Sequence, residues 1–423
     1  MMKRHPWLVL ATLLLLHVIA HIDRNILLGF SPHITAELAL SNTQFGVLVG
    51  PVWVLSYGLM APFLGSLADR YSRPRIMAGG IAVWSLCTAA SGFAHHFGQI
   101  ALARFFVASG EAALVPAALA LLGDVFDERR HGTAAGVFFM GIPLGIGLAF
   151  VLAGHVGATL GWRGTFTALG LIGVVVAVPL AFVRDERSNR AHEVGQPLFA
   201  QLRSVAAALR ASPRIALALA GFITVQLIHA AFSFYQLWLV RERGLDPETI
   251  ARQIGVMQMV CGTLGALLGG VLADPLAARL RGGHPAVLAL LVAVGGPLIL
   301  LQMFVEPGGA LFYLGMAASF FLPLATCGSA LAIIQSELPT SMRATAVGVT
   351  ILGINVFAIA LGNLAAGATS DWLTQAGHGN PLTAVLIGMY AAVMGSLAMF
   401  VAAARRPAVG PMEGQDTGVG QSP

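Results

Sequence analysis

Charge is what this sequence has least of. Asp, Glu, Lys and Arg make up 10% of its 423 residues, where a soluble chain carries about 25%. Surface-to-volume scaling gives a soluble protein of this length a large wet surface, and so few charges cannot cover it. That excludes a soluble enzyme. It excludes a disordered chain too, since disorder requires low hydrophobicity and 57% of these residues are hydrophobic. Cysteine is scarce: Cys87, Cys261 and Cys327 all sit in apolar runs, so no disulfide framework is readable. Chemical motifs are missing as well. There is no phosphate loop of the form Gly-x-x-x-x-Gly-Lys, no His-Glu-x-x-His and no Cys/His metal spacing. Neither a cofactor nor a metal is expected, ATP is not the expected driving force, and the chain is not expected to be an enzyme. No basic domain exists for nucleic acid to bind. The solvent for most of this chain is lipid.

A membrane helix needs about 20 mostly apolar residues. Twelve such runs are present, near 7–30, 43–66, 76–95, 98–122, 132–157, 163–183, 213–240, 251–274, 285–305, 309–335, 344–372 and 381–404. They are continuous rather than alternating, which argues against a β-barrel. Their many glycines and prolines are tolerated where neighbouring membrane helices support the backbone. The predicted fold class is therefore an all-α membrane protein of twelve transmembrane helices. The first run carries into His21, Asp23 and Arg24 without a small-residue cleavage site, so it is expected to be an uncleaved helix.

Basic residues set the orientation. With a cytoplasmic N-terminus, eighteen of the twenty-four fall on the cytoplasmic side. They are Lys3 and Arg4; Arg70, Arg73 and Arg75; Arg129 and Arg130; Arg184, Arg187, Arg190, Arg203, Arg210 and Arg214; Arg279 and Arg281; Arg343; Arg405 and Arg406. Only Arg163, Arg241, Arg243 and Arg252 fall opposite, and Arg24 and Arg104 lie within spans. The expectation is a multi-pass inner-membrane protein, monomeric, with both termini cytoplasmic.

The connection at 184–212 divides the spans six and six. In it Leu198, Phe199, Leu202, Val205 and Leu209 recur at helical spacing with Arg203 and Arg210 off the stripe, which predicts a basic interfacial helix. The organisation read from this is an N-terminal six-helix bundle (1–183), that linker (184–212), a C-terminal bundle (213–404) and a disordered cytoplasmic tail (405–423). The halves echo each other. Gly65-Ser-Leu-Ala-Asp69-Arg70 and Gly270-Val-Leu-Ala-Asp274-Pro275 fall at matching places, as do His131–Gly136 and Arg343–Gly348. Parallel repeats of this kind build transporters with a site between the halves. The run Gly141-Ile-Pro143-Leu-Gly145-Ile-Gly147 imitates a nucleotide loop, but it lies inside a span and reads as a close-packing segment.

The segment Gly65-Ser-Leu-Ala-Asp69-Arg70-Tyr-Ser-Arg73-Pro-Arg75 resembles the helix 2–3 signature of the major facilitator superfamily, departing from it at Ser72 and Pro74. The resemblance covers the chain from helix 1 to helix 12. It implies two pseudo-symmetric bundles that rock about a central site, with Gly65, Asp69, Arg70 and Arg73, and Asp274 in the second half, forming a cytoplasmic gate. Gly65 would allow close packing there, and the Asp69 carboxylate would meet basic residues or a facing helix N-terminus. Asp23-Arg24, Arg104 with Gly110-Glu111-Ala112, and Gly123-Asp124-Val125-Phe126 resemble the spinster branch, apart from Ala108 where that branch places glycine. The anion:cation symporter branch shares an Asp-Arg in helix 1 and an acid in helix 4.

Four charges interrupt apolar runs: Asp23, Arg24, Arg104 and Glu111. Each costs about 2.5–3.5 kcal/mol at mid-membrane and is expected to face a cavity or a partner. His17, His21 and Arg24 share one helix face. Arg104 and Glu111 are seven residues apart, on nearly one face and about 10 Å apart along the axis, too far to touch but able to share a ligand. Burial favours a neutral carboxyl and a nearby guanidinium an ionised one, so the pair can hold a proton-dependent balance in which ionised Glu111 restrains Arg104. Proton coupling is thus expected at Glu111 and Asp23. Substrate binding is expected at Arg24 and Arg104, joined from helix 7 by Gln226, Tyr235 and His229, the last being Arg24 shifted by 205 residues. Buried arginines favour a carboxylate or phosphate, and the second half is otherwise apolar.

The function expected is a proton-coupled secondary transporter of an anionic amphiphile, with protons, membrane lipid and that substrate as partners. Spinster resemblance implies a lysophospholipid or sphingoid phosphate. The alternatives are a proton-coupled symporter of a small organic carboxylate and, from another class, a non-transporting membrane receptor or scaffold.

Overall fold

The computed structural model describes residues 5–183 and 198–407, and among them every regular element is helical. In a bilayer a segment must satisfy its own backbone, which only helices and closed barrels can do. The membrane helices are α1 (Pro6–Gly29), α2 (Asn42–Ala68), α3 (Arg73–Ser91), α4 (Phe97–Val125), α5 (129–160), α6 (162–181), α7 (Pro213–Arg241), α8 (Pro247–Val271), α9 (His284–Leu301), α10 (Ala310–Glu337), α11 (Thr340–Gln375) and α12 (Pro381–Ala404). The twelve expected spans are present. Helices α5 and α6 run on without a loop, reversing at Gly161, whose φ of 61° and ψ of 178° suit glycine. Helix α3 is the least apolar because it opens on Arg73 and Arg75.

Several spans are broken within the membrane. Helix α4 is interrupted directly after Glu111, where Pro116 cannot donate to the carbonyl four residues back. Helix α7 breaks at Gln226. Helices α8 and α11 contain π-helical segments, Gln258–Gly262 and Ile354–Leu361, a local form common at functional sites.

Helices α1–α6 pack chiefly on one another, as do α7–α12, and the two sets meet where α5 lies on α8 and α2 on α11. We call the end holding residue 5 and the connection at residues 71–72 the near end, and its opposite the far end. The hydrogen bonds between the halves gather at the far end. The Asp371 carboxylate of α11 accepts from Asn42 N at 3.0 Å, Thr43 N at 2.7 Å and Thr43 Oγ1 at 2.6 Å. It thereby satisfies donors at the N-terminus of α2 that have no partner within the helix. Ser41 and Gln44 complete the cap as a capping box.

The four basic residues that fall on the minority side have structural partners there. Arg163 bonds Glu37 and the carbonyls of Gly92 and Ala94. Arg241 bonds Asn42 and Thr35, Arg243 the carbonyls of Met303 and Val305, and Arg252 the carbonyl of Gly154. Two of the four, Arg241 and Arg252, tie the halves together. Each exception to the charge rule is thus a local bond.

Close approach of the halves depends on glycine. A Cβ on Gly46 would lie 2.3 Å from the carbonyl oxygen of Asn363, and one on Gly147 would lie 2.5 Å from that of Gly255. The run beginning at Gly141 is therefore a packing surface, touching α1 on one side and α8 on the other. Replacing Gly46 by alanine is expected to disfavour far-end closure by about 1–3 kcal/mol, since a backbone atom cannot rotate away. Spin labels at the exposed residues Ser41 and Gln375 would report it as a longer far-end distance; an unchanged distance distribution would refute it.

A helix forms over Leu198–Ala211, with Val205 and Ala208 buried against the C-terminal helices, Leu202 exposed, and Thr345 Oγ1 donating to Gln201 at 2.8 Å. The rest of the expected linker, 184–197, and the tail beyond 407 lie outside the described residues.

Candidate functional site

The four intramembrane charges converge. Helix α1 continues past Asp23 and Arg24 to Gly29, and Asp23 is 1% exposed. Arg104 donates from Nη1 to the backbone carbonyl of Asp23 at 2.8 Å, and its guanidinium lies 4.8 Å from the centre of the Phe166 ring on α6. Its Nε and Nη2 have no protein partner. The Asp23 carboxylate faces Trp84 of α3 without completing a hydrogen bond.

Glu111 is held differently. Trp53 of α2 donates from Nε1 to Glu111 Oε2 at 2.9 Å, leaving Oε1 without a partner. Arg24 sits over the same indole, its Cζ 3.4 Å from the ring centre, and Tyr57 stacks on it at 4.7 Å. In this state the backbone of Asp23 holds Arg104, the indole links Glu111 to Arg24, and Glu111 acts on Arg104 only electrostatically, without a hydrogen bond. The reason is geometric. Helix α4 stacks Arg104 and Glu111 a turn or more apart, so each meets a different neighbour.

Three adjoining chambers surround these groups. The head chamber, about 80 Å³, is lined by Arg24, Trp53, Arg104, Glu111, His229 and Ser233 among others. A vestibule of about 70 Å³ shares Arg24, Trp53 and Glu111 with it and adds His17, His21 and Tyr57. The third chamber, about 30 Å³ in this state, shares His229 with the first and is walled by Ile228, Phe232, Phe320, Leu324 and Tyr390. The head chamber sets Arg24, Arg104 and Glu111 among aliphatic residues such as Leu27, Leu28 and Leu48, and the third chamber is mostly aromatic and aliphatic.

The helix 7 residues divide. His229 lines two chambers, one of them together with Arg24. Tyr235 lines the apolar chamber with its ring, while its hydroxyl donates to Gln302 at 2.8 Å. Gln226 lines none of the three chambers; it sits at the break in α7 and donates to the Pro323 carbonyl at 3.3 Å. In this state Gln226 therefore packs α7 against α10. Of the two α1 histidines, His17 stacks on Phe138 at 4.2 Å and bonds its carbonyl at 2.9 Å, a packing role, whereas His21 reaches the vestibule with Nδ1 unpartnered.

At the near end, Arg73 pairs with Asp124 of α4, within its own half. Asp274 is exposed and faces His284 at 3.6 Å, also within its own half. The helix of α2 runs on past Ala68 through Asp69 and ends at Arg70. Close packing was expected at Gly65, but the nearest atom to a Cβ there would be Pro116 Cβ at 3.9 Å, so glycine is not sterically required in this state.

Trp53, Trp84 and Phe166 escaped the sequence reading because an aromatic residue in an apolar run looks like lipid-facing bulk. The available signal was the rule that a buried indole N–H seeks an acceptor.

A model of the Major Facilitator Superfamily matches residues 13–363. Among curated proteins, the chain is 28% identical over 308 residues to protein spinster of Drosophila melanogaster, covering 70% of this chain and 50% of that one. It thus spans half the length of that relative. It is 29% identical to the 3-(3-hydroxy-phenyl)propionate transporter of Escherichia coli strain K12, over 89% of both chains. Among solved structures, a bacterial homologue of the human lysosomal transporter Spinster, inward-facing and unoccupied, superposes with a TM-score of 0.78 at 22% identity, over 95% of both chains. With this fold and a match spanning most of its length, the chain belongs to the Major Facilitator Superfamily as a multi-pass membrane protein similar to spinster proteins.

Proposed function

We propose that the protein is a proton-coupled secondary transporter that moves an anionic amphiphile, such as a lysophospholipid or sphingoid phosphate, by alternating access. One observation carries this reading: Arg24 and Arg104 line the head chamber, and His229 joins that chamber to a largely apolar one. A phosphate or carboxylate head suits the guanidiniums, which bind such groups with a planar fork. An acyl or aryl body suits the wall of Phe232, Phe320 and Leu324. Glu111, with Asp23 as the second carboxyl, exchanges the proton. The far-end bonds around Asp371 hold one state. Asp69, Arg70, Arg73 and Asp274 latch the near end in the opposite state, when Arg73 and Asp274 exchange their present partners. The membrane is the bacterial inner membrane, with both termini cytoplasmic, and the unit is a monomer.

The likeness to the hydroxyphenylpropionate transporter over most of both chains favours a second reading, a small aromatic carboxylate. Binding raises apparent stability by mass action, by about 2.7 kcal/mol at a ligand concentration 100-fold above Kd. A thermal-shift screen of the purified protein therefore separates the two. Under the first reading an anionic lysolipid raises the midpoint and its neutral-headed analogue does not. Stabilisation by 3-phenylpropionate and not by lysolipid would replace the first reading with the second.

A further inference from the structure

Arg24 and Glu111 present a problem that the transport reading leaves open. Both are charged groups within membrane helices, both line the same two chambers, and they interact electrostatically. Two such groups in a low-dielectric site are strongly drawn into a direct ion pair. Among the described residues, no ion pair joins them. The Trp53 ring covers the Arg24 guanidinium at 3.4 Å, and its N–H occupies Glu111 Oε2 at 2.9 Å. Each charge is bound to a different part of one rigid indole. Trp53 also belongs to the wall common to the head chamber and the vestibule.

We infer that Trp53 is a spacer that keeps Arg24 and Glu111 from closing into an ion pair, so that Arg24 stays available to an anion while Glu111 stays available to a proton. This rests on the proposed transport of an anion and deepens it. The physical argument has two parts. A guanidinium on an aromatic face is stabilised by the ring, the more so when desolvated, yet the ring leaves its N–H groups unoccupied, and those are what a phosphate or carboxylate takes. A carboxylate bonded by one neutral N–H keeps its second oxygen free, as Glu111 Oε1 is. A direct pair would occupy both partners.

Other charged and titratable groups around Glu111 do not substitute for the indole. On α1, Asp23 lies beside Arg104, and His17 and His21 border the vestibule. On α2, Tyr57 stacks on Trp53. On α4 itself, Arg104 is tied to the Asp23 carbonyl. From α7, His229 lines the head chamber too. None of these is hydrogen-bonded to Glu111.

The test is binding of 1-oleoyl lysophosphatidate to the full-length detergent-purified protein at pH 7, compared among wild type, Trp53→Ala, Glu111→Gln and the double variant. Trp53→Ala is expected to lower affinity at least about tenfold, because Arg24 and Glu111 collapse onto each other; that corresponds to about 1.4 kcal/mol. Adding Glu111→Gln to it removes the competing charge and is expected to restore affinity to near the Glu111→Gln value. A merely structural or ligand-stacking tryptophan predicts no such rescue, since the two losses would add. Wild-type affinity in Trp53→Ala, or a double variant as weak as Trp53→Ala, would overturn the spacer role. Should Trp53→Ala not fold, Trp53→Leu also lacks the ring face and the N–H while filling more of the space, and the same rescue is required of it. Wild-type protein that binds neither this probe nor 3-phenylpropionate would instead overturn the transport reading, and the spacer role with it.

Discussion

Glu111→Gln is expected to abolish gradient-driven accumulation of substrate in proteoliposomes while leaving substrate exchange intact. Glutamine retains a carbonyl oxygen to accept from Trp53 Nε1, so the local geometry is kept and only the titration is lost. One coupled proton sustains about a tenfold substrate gradient for each unit of pH difference, because a unit of pH is worth about 1.36 kcal/mol. The variant should equilibrate its substrate to equal concentrations under the same gradient. Exchange needs only binding and rocking, neither of which requires a free proton. Asp23→Asn is the matched control, since Asp23 is the second carboxyl in the site. Accumulation by Glu111→Gln at the wild-type level would remove Glu111 from the coupling step and leave Asp23 as the candidate.

Arg104→Gln is expected to weaken binding of the anionic substrate by about 2–5 kcal/mol, the range for truncating one side of a buried hydrogen-bonded charge pair. At about 1.4 kcal/mol per tenfold, that is at least roughly thirtyfold in Kd. Arg104 is the natural anchor because it is buried, fixed through Nη1 to the Asp23 carbonyl, and still has Nε and Nη2 unoccupied. That leaves part of its planar fork for the ligand. Arg104→Lys should recover only part of the loss, because an ammonium keeps the charge but not the fork. Calorimetric titration with an anionic ligand and its neutral-headed analogue checks this. A loss confined to the anion places Arg104 on the head group. Equal loss for both would mean that the variant had disturbed the cavity as a whole.

The two arginines show where the sequence stops being informative. Asp23, Arg24, Arg104 and Glu111 were legible because a charge in an apolar run is costly wherever the rest of the chain goes. Their partners were not. Spacing along α4 suggested that Glu111 acts on Arg104, yet Glu111 meets Trp53 of α2, and Arg104 meets the backbone of α1. Helical periodicity says which residues share a face. It does not say which helix lies opposite that face. The partner of Gln226 was hidden for the same reason: in this state its amide meets the Pro323 carbonyl of α10.

By itself the sequence determined that this is a membrane protein of twelve helices, which way its basic residues bias it, that its halves repeat, and which four charges had to be explained. All of these follow from the transfer of residues between water and lipid, a cost incurred locally along the chain. Only the tertiary structure decided that Asp371 caps α2 across 329 residues of sequence separation, that Gly46 and Gly147 let the halves touch, and that an indole stands between Arg24 and Glu111. Those facts depend on angstrom-scale distances between helices, which the packing of every side chain sets together and no single stretch of sequence encodes.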